Sequence, residues 1–412
     1  MKKNFALLLT TLIMAGCINN TDPKIEPEIP GTGAKLIQAV IEKRVPQDNE
    51  FAFDLFKKMV ETSNSSNLFI SPLSVSIALG MAWNGANGDT QTEMEAALKM
   101  SGFSTDEINA YYQYMLTTLP GADPKTTLNI ANSIWYKLGF PVKEDFLNIN
   151  RDYFDAEVRE LDFDKEGAVD TINNWCALKT NDLIKKPLDR ISTDAVMYLI
   201  NAIYFKGMWT KPFHEEGTHE RYFIAESGDA VPVNMMSQLD FFNYAEDDNA
   251  QYIDLPYGDG NFSMTVALPR SGKNMTDLLA YLTLERWSER LNEMDSTEVK
   301  VNLPRFKNEN KYELKDILKQ MGMQKAFEDG LADFSGINEE FEIFISRIIH
   351  STFVEVNEKG TEAAAVTIIE SEATSAPQYE VFCADRPFLY IIREQTSGVI
   401  LFMGKIGEPD LY

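Results

Sequence analysis

Between Glu358 and Thr374 the chain reads EKGTEAAAVTIIESEAT, and beyond Gly360 charge falls on only one parity of this run. Thr361, Ala363, Ala365, Thr367, Ile369, Ser371 and Ala373 form an uncharged, mostly small set, while the alternate set carries Glu362, Glu370 and Glu372. Successive side chains of an extended strand point to opposite faces, so one set can meet a core while the other meets water. No proline interrupts the run before Pro377. A loop that only has to stay solvated has no reason to avoid proline or to keep charge off one parity. The pattern suits a loop able to become a central strand.

Taken alone, EAAAV also suits a surface helix, because Ala and Glu are good helix formers. The β-branched Thr367, Ile368 and Ile369 argue against continuing that helix. Its flanks are strand-like: Ser351 to Val356 alternates before it, and Tyr379 to Phe382 follows it. Strand, mobile loop, strand is the better parse.

The rest of the chain reads as α+β, with helical stretches dominating the first half and strands the second. Asp48 to Val60 has apolar residues at helical spacing. Ser71-Pro72 reads as an N-cap and first-turn proline opening a helix to Trp83 that is apolar on every side and therefore buried. Leu128 to Lys137, Val196 to Tyr204, Phe262 to Leu268, Glu298 to Leu303, Phe344 to Ile349 and Val399 to Ile406 read as strands. Gly258-Asp259-Gly260 lies between strand-like segments and reads as a hairpin turn.

No Pro/Gly/Ser-rich linker divides the 412 residues after the first forty, which argues for one large domain. Met1-Lys2-Lys3 and the short apolar stretch to Ala15 have the form of an export signal, too short to span a membrane. The stretch ends in Met14-Ala15-Gly16-Cys17, like a lipoprotein cleavage box; an ordinary signal peptide with an incidental Cys17 is the alternative. The expected organisation is a signal at 1–16, a tether at 17–44 and a folded domain at 45–412, secreted or lipid-anchored through Cys17 at the outer cell surface. A net charge of −25 argues against nucleic acid or an anionic membrane surface as partner. Cys176 and Cys383 are too few for a disulfide framework and read as buried free thiols, with a bond between them left open.

Catalytic chemistry is hard to find. There are three histidines; His214 and His219 stand five apart, which is not HExxH zinc spacing, and no G-x-S-x-G elbow occurs. The reading is of a chain without metal, cofactor or catalytic residues, something a protease acts upon.

The run FVEVNEKGTEAAAVT, Phe353 to Thr367, resembles the hinge of the serpins, a family of serine protease inhibitors. NLFISPLSVSIALGMAWNGANGDT (67–90), YLINAIYFKGMWTKPF (198–213), VNLPRF (301–306), ADRPFLYIIR (384–393) and GVILFMGKI (398–406) resemble further serpin signatures in serpin order. The resemblance covers roughly 45 to 410. It implies a serpin fold with three β-sheets, about nine helices and an exposed reactive loop between Gly360 and Arg386. It also implies a mechanism: a target protease cleaves the loop, forms an acyl-enzyme, and is dragged away as the cut loop inserts into the main sheet.

The fifteen residues from Gly360 to Thr374 would span about 50 Å as a strand. New backbone hydrogen bonds and burial of the inward set would release on the order of 10 to 20 kcal/mol. Family positions place the hinge at Glu358, Gly360, Thr361, Glu362, Ala363, Ala364 and Ala365, and a latch beneath the sheet at Ser71, Ser74, Asn201 and His350. Trp209 matches the tryptophan where insertion begins, and Arg305 the partner of Glu358. Family spacing puts the scissile bond at Thr374–Ser375, with Ala373 and Ala376 as alternatives for the primary residue. No Lys or Arg lies between Lys359 and Arg386, so elastase-like or subtilisin-like serine proteases, bound covalently by a monomer, are the expected partners. The rivals are a non-inhibitory binding protein on the serpin fold and an exported hydrolase.

Overall fold

The computed structural model describes residues 34–193, 195–361 and 379–409. Its helices are α1 (Ala34–Thr62), α2 (Pro72–Trp83), α3 (Gly88–Ala97), α4 (Thr105–Thr118), α5 (Glu144–Phe154), α6 (Ala168–Lys179), α7 (Met275–Tyr281), α8 (Leu284–Glu293) and α9 (Lys315–Gln320). The strands are β1 (Leu68–Ile70), β2 (Thr126–Lys137), β3 (Ala156–Leu161), β4 (Met197–Met208), β5 (His219–Ile224), β6 (Ala230–Glu246), β7 (Ala250–Tyr257) and β8 (Phe262–Pro269). They continue with β9 (Asp295–Pro304), β10 (Phe306–Glu313), β11 (Ile349–Asn357), β12 (Gly360–Thr361), β13 (Glu380–Cys383), β14 (Phe388–Glu394) and β15 (Ile400–Ile406).

These strands form two sheets among the described residues. A six-stranded sheet runs β10-β11-β12-β4-β2-β3, and a nine-stranded sheet runs β1-β15-β14-β8-β7-β6-β9-β13 with β5 on β6. Two of the three sheets implied by the resemblance are continuous because β6 is long enough to serve both. It pairs with β5 over Ala230 to Met235, with β9 over Met235 to Tyr244 and with β7 over Asn243 to Glu246.

Helix α2 ties the two sheets together. Ser71 caps it by accepting from the Ser74 N–H, Pro72 opens it, and every residue but Ala78 is buried. It packs on β4 of one sheet and β15 of the other, which is why it can be apolar on every side. A second, smaller core lies where α6 covers β2 and β4, with Trp135 and Trp175 edge-on at 6.5 Å. The Gly258 to Gly260 segment is the β7–β8 turn, with left-handed glycines at φ +57° and +96°.

Two expectations are corrected. Residues 34–44, read as tether, belong to α1, and Ile37, Val40 and Ile41 are buried against the core. The stretch Phe344 to Ile349, read as a strand, is irregular until β11 begins at Ile349. Strand β10 ends opposite Ile349 at Glu313, and α9 starts two residues later, so the stretch has lost its ladder partner on that side.

Candidate functional site

The centre of the six-stranded sheet holds the site. Strands β4 and β11 run in the same direction but share no ladder; β12 lies between their ends, antiparallel to both. Gly360 pairs with Asn357 and Met208, and Thr361 with Val356 and Gly207. Gly360 sits at φ +139°, and a Cβ there would come 2.1 Å from the Gly207 carbonyl oxygen. Only glycine fits this approach.

Three backbone carbonyls of the turn before β12 are gripped by donors from 209–213. Trp209 Nε1 donates to the Asn357 carbonyl at 2.9 Å, the Trp209 N–H to Lys359 at 2.8 Å and the Phe213 N–H to Glu358 at 2.8 Å. Trp209 stacks on Tyr257 with ring centroids 4.3 Å apart. The Tyr257 hydroxyl lies 2.9 Å from Thr361 Oγ1, both groups fully enclosed. Gly207 and Gly360 thus admit a close backbone approach over an aromatic floor.

Beside the turn, Glu358 is 4% exposed. Burial pushes its carboxyl up, but hydrogen bonds from Arg305 and Thr218 outweigh burial and hold it below the usual carboxylate range. Lys359 reaches Glu215 at 3.3 Å on the outside. The exposed reactive loop implied to begin at Gly360 therefore does not begin there: Gly360 and Thr361 are buried in the sheet. At its other end, Glu380–Cys383 is strand β13, parallel to β9.

Lower down, the start of α2 reaches both sides of the gap. On the β11 side, the Ser71 N–H donates to His350 Nε2 at 3.0 Å, while Ser71 Oγ donates to the Leu401 carbonyl of β15 in the other sheet at 2.7 Å. On the β4 side, Ser74 Oγ donates to Asn201 Oδ1, Asn201 Nδ2 donates to Asn132 Oδ1 at 2.7 Å, and Asn132 Nδ2 to the Phe154 carbonyl at 2.7 Å. Burial pushes His350 down to about 4, so the ring is neutral and its Nε2 free to accept. Between the two sides, and under 342–348, lies a cavity of about 260 Å³ with Leu79, Ala82, Tyr198, Ile200, Ile345 and Ile348 in its walls.

Of the residues singled out from sequence, Glu358, Gly360, Thr361, Trp209 and Arg305 are brought together at the top of the gap, and Ser71, Ser74, Asn201 and His350 at its middle. Cys17, Glu362, Ala363, Ala364, Ala365, Thr374 and Ser375 lie outside the described residues. Cys176 and Cys383 are free, and Cys383 is only partly buried. Tyr257, Thr218 and Asn132 are missed by the sequence reading. Tyr257 stands just before the Gly258 turn, but no local pattern says which aromatic will floor the hinge.

Two like-directed strands without a ladder between them, with a glycine-threonine start of a third seated between their ends, mark the centre of a mixed α+β fold. A family model described as serpin (serine protease inhibitor) matches residues 46–409. An uncharacterised serpin-like protein of Methanosarcina acetivorans is 36% identical, covering 88% of this chain and 87% of the relative. Among solved structures, the thermophilic serpin tengpin in its native state aligns with a TM-score of 0.82 at 32% identity, covering 89% of this chain and 94% of that one. Human thyroxine-binding globulin, solved with its ligand, aligns with a TM-score of 0.80 at 28% identity, over 90% and 99% of the two chains. The chain belongs to the serpin family. Protease inhibition is the family's general kind of function.

Proposed function

We propose that this protein is a suicide-substrate inhibitor of serine proteases that traps the acyl-enzyme by drawing its cut loop between β4 and β11. The observation that carries this reading is β12: Gly360 and Thr361 already occupy the first two rungs of the slot, hydrogen-bonded on both edges. Extending that register antiparallel to both neighbours would aim Thr361, Ala363, Ala365, Thr367, Ile369, Ser371 and Ala373 at the core. An uncharged inward set avoids the several kcal/mol that a buried carboxylate would cost.

On this reading Glu362, Ala363, Ala364 and Ala365 continue the hinge, cleavage falls at Thr374–Ser375, and the target has a shallow pocket of elastase-like or subtilisin-like type. The monomer would act outside the cell, secreted or held through a lipidated Cys17. Incubation with elastase and with subtilisin tests it on a denaturing gel: a covalent band of summed mass is expected with at least one of them. Quantitative cleavage with no such band, and no rise in the melting temperature of the cut protein, would overturn it. The apolar cavity beneath the gap and the likeness to thyroxine-binding globulin favour a second reading, a binding protein on the same fold. That reading expects no covalent band.

A further inference from the structure

Asp123 lies just after the short turn Leu119–Gly121 that leads into β2, and it is 2% exposed. Its Oδ1 accepts from the Lys125 N–H at 2.8 Å, closing an Asx turn in its own loop. Its Oδ2 accepts from the Asp259 N–H at 2.8 Å, the Asn261 N–H at 3.3 Å and Asn261 Nδ2 at 3.4 Å. The carboxylate therefore clamps the start of β2 to the tip of the β7–β8 hairpin through charge-assisted bonds. The fit is close: a Cβ on Gly258 would come 2.3 Å from Oδ1.

The same hairpin tip holds the hinge. The Gly258 N–H donates to the Met208 carbonyl at 2.8 Å, and Thr210 Oγ1 donates to the Gly258 carbonyl at 3.0 Å. Met208 is the ladder partner of Gly360, and Tyr257, one residue before the turn, meets Thr361. We infer that Asp123 is a positioning residue for loop insertion, fixing the hairpin tip so that Met208 and Tyr257 stand where Gly360 and Thr361 dock. It acts through those residues: among the described residues its carboxylate bonds to Lys125, Asp259 and Asn261, not to Gly360 or Thr361. The inference rests on the inhibitor reading for its consequence, not for its geometry.

Asp123→Asn keeps the shape and one acceptor but turns an amide toward donors. In the uncleaved variant, amide exchange at Gly360 and Thr361 is expected to quicken by about tenfold while β14 and β15 exchange as before. The ratio of trapped to merely cleaved protease should fall by about threefold with the rate of loop cleavage unchanged, and Thr361→Val added to Asp123→Asn should lower it no further. Exchange at Gly360 and Thr361 like that of the unaltered protein, or a lower melting temperature with trapping intact, would overturn the assignment. So would an additive effect of Thr361→Val. Should Asp123→Asn not fold, Asn261→Ala removes one donor and keeps the carboxylate; a smaller quickening at the same two amides supports the role, and none overturns it. If the unaltered protein traps no protease, the exchange arm still decides the role of Asp123, and the inhibitor reading fails separately.

Discussion

Arg305 holds Glu358 by three contacts, Nε at 2.9 and 3.0 Å from the two carboxylate oxygens and a terminal nitrogen at 2.8 Å from one of them. The pair sits beside the turn that delivers β12 into the sheet, and its two ends differ: the Glu358 side chain is 5% exposed, the Arg305 side chain 30%. Removing the arginine strands a buried carboxylate, whereas removing both partners strands nothing.

Arg305→Gln is therefore expected to lower the stability of the uncleaved protein by about 2 kcal/mol, reduced from fully buried cases by the exposure of the arginine. The exchanged pair Arg305→Glu with Glu358→Arg should recover part of the loss. Glu358 has a depressed folded value, so its contribution is present above the ordinary carboxylate value of 4.5 and is lost as pH falls through the lower folded one. Denaturant titrations of the unaltered protein and the two variants at neutral pH and near pH 3 check both statements; equal losses in single and exchanged variants would refute the pairing.

Thr361→Arg places a charge against the Tyr257 floor at a position 3% exposed. A buried guanidinium without a partner costs several kcal/mol, enough to keep the hinge out of its slot. Elastase or subtilisin should cut the variant's loop at the usual rate, leave no covalent band and yield a product that melts no higher than the intact protein. Trapping as efficient as in the unaltered protein would rule out insertion with Thr361 facing inward.

His350 makes an acid-side prediction. Its folded value lies at about 4 because of burial, below the ordinary 6.5. Between those values the unfolded chain binds a proton that the folded one does not, so stability falls as pH drops from 6.5 toward 4 and stops falling, on this account, below 4. The full effect is on the order of 3 kcal/mol. His350→Gln can still accept from the Ser71 N–H, and its melting temperature should lack this component between pH 6.5 and 4. Identical pH profiles for the two proteins would remove His350 as the cause.

What could be read from the chain depended on whether the deciding contact was local. Ser71-Pro72 announces α2 because capping and proline geometry are properties of neighbouring residues, and the β7–β8 turn is legible at Gly258 for the same reason. Helix α1 carries a helical signal from Ile37 through Val40, Ile41 and Arg44, but Pro46 follows, and proline ordinarily ends a helix; α1 runs through it. The irregular stretch before Ile349 has strand-like residues, but its neighbour β10 ends at Glu313, a long-range limit that the stretch itself does not show. In the site, Gly360, Thr361 and Trp209 were legible through resemblance. Tyr257 and Asp123 were not, since their roles come from segments about a hundred residues apart or more meeting in space, Tyr257 with Thr361 and Asp123 with the β7–β8 turn.

Gly360→Ala isolates the docking step from the chemistry of the loop. The residue needs φ +139°, where an L side chain is strained, and its Cβ would meet the Gly207 carbonyl oxygen, the Met208 Cα at 2.7 Å and the Trp209 nitrogen at 2.9 Å. All three are backbone atoms of β4 and the residue following it, so nothing nearby can rotate away. The methyl group must push β12 out of the sheet, breaking the rungs to Asn357 and Met208 and weakening the hold of Trp209 on the turn. Because Trp209 stacks on Tyr257 and donates to Asn357, its fluorescence should report the displacement, and exchange at Thr361 should approach that of an exposed amide. With the hinge unseated, the variant is expected to divide toward cleavage, trapping several-fold less protease for each loop cut. An alanine variant with native exchange at Thr361 and undiminished trapping would mean that the seat at Gly360 plays no part in insertion.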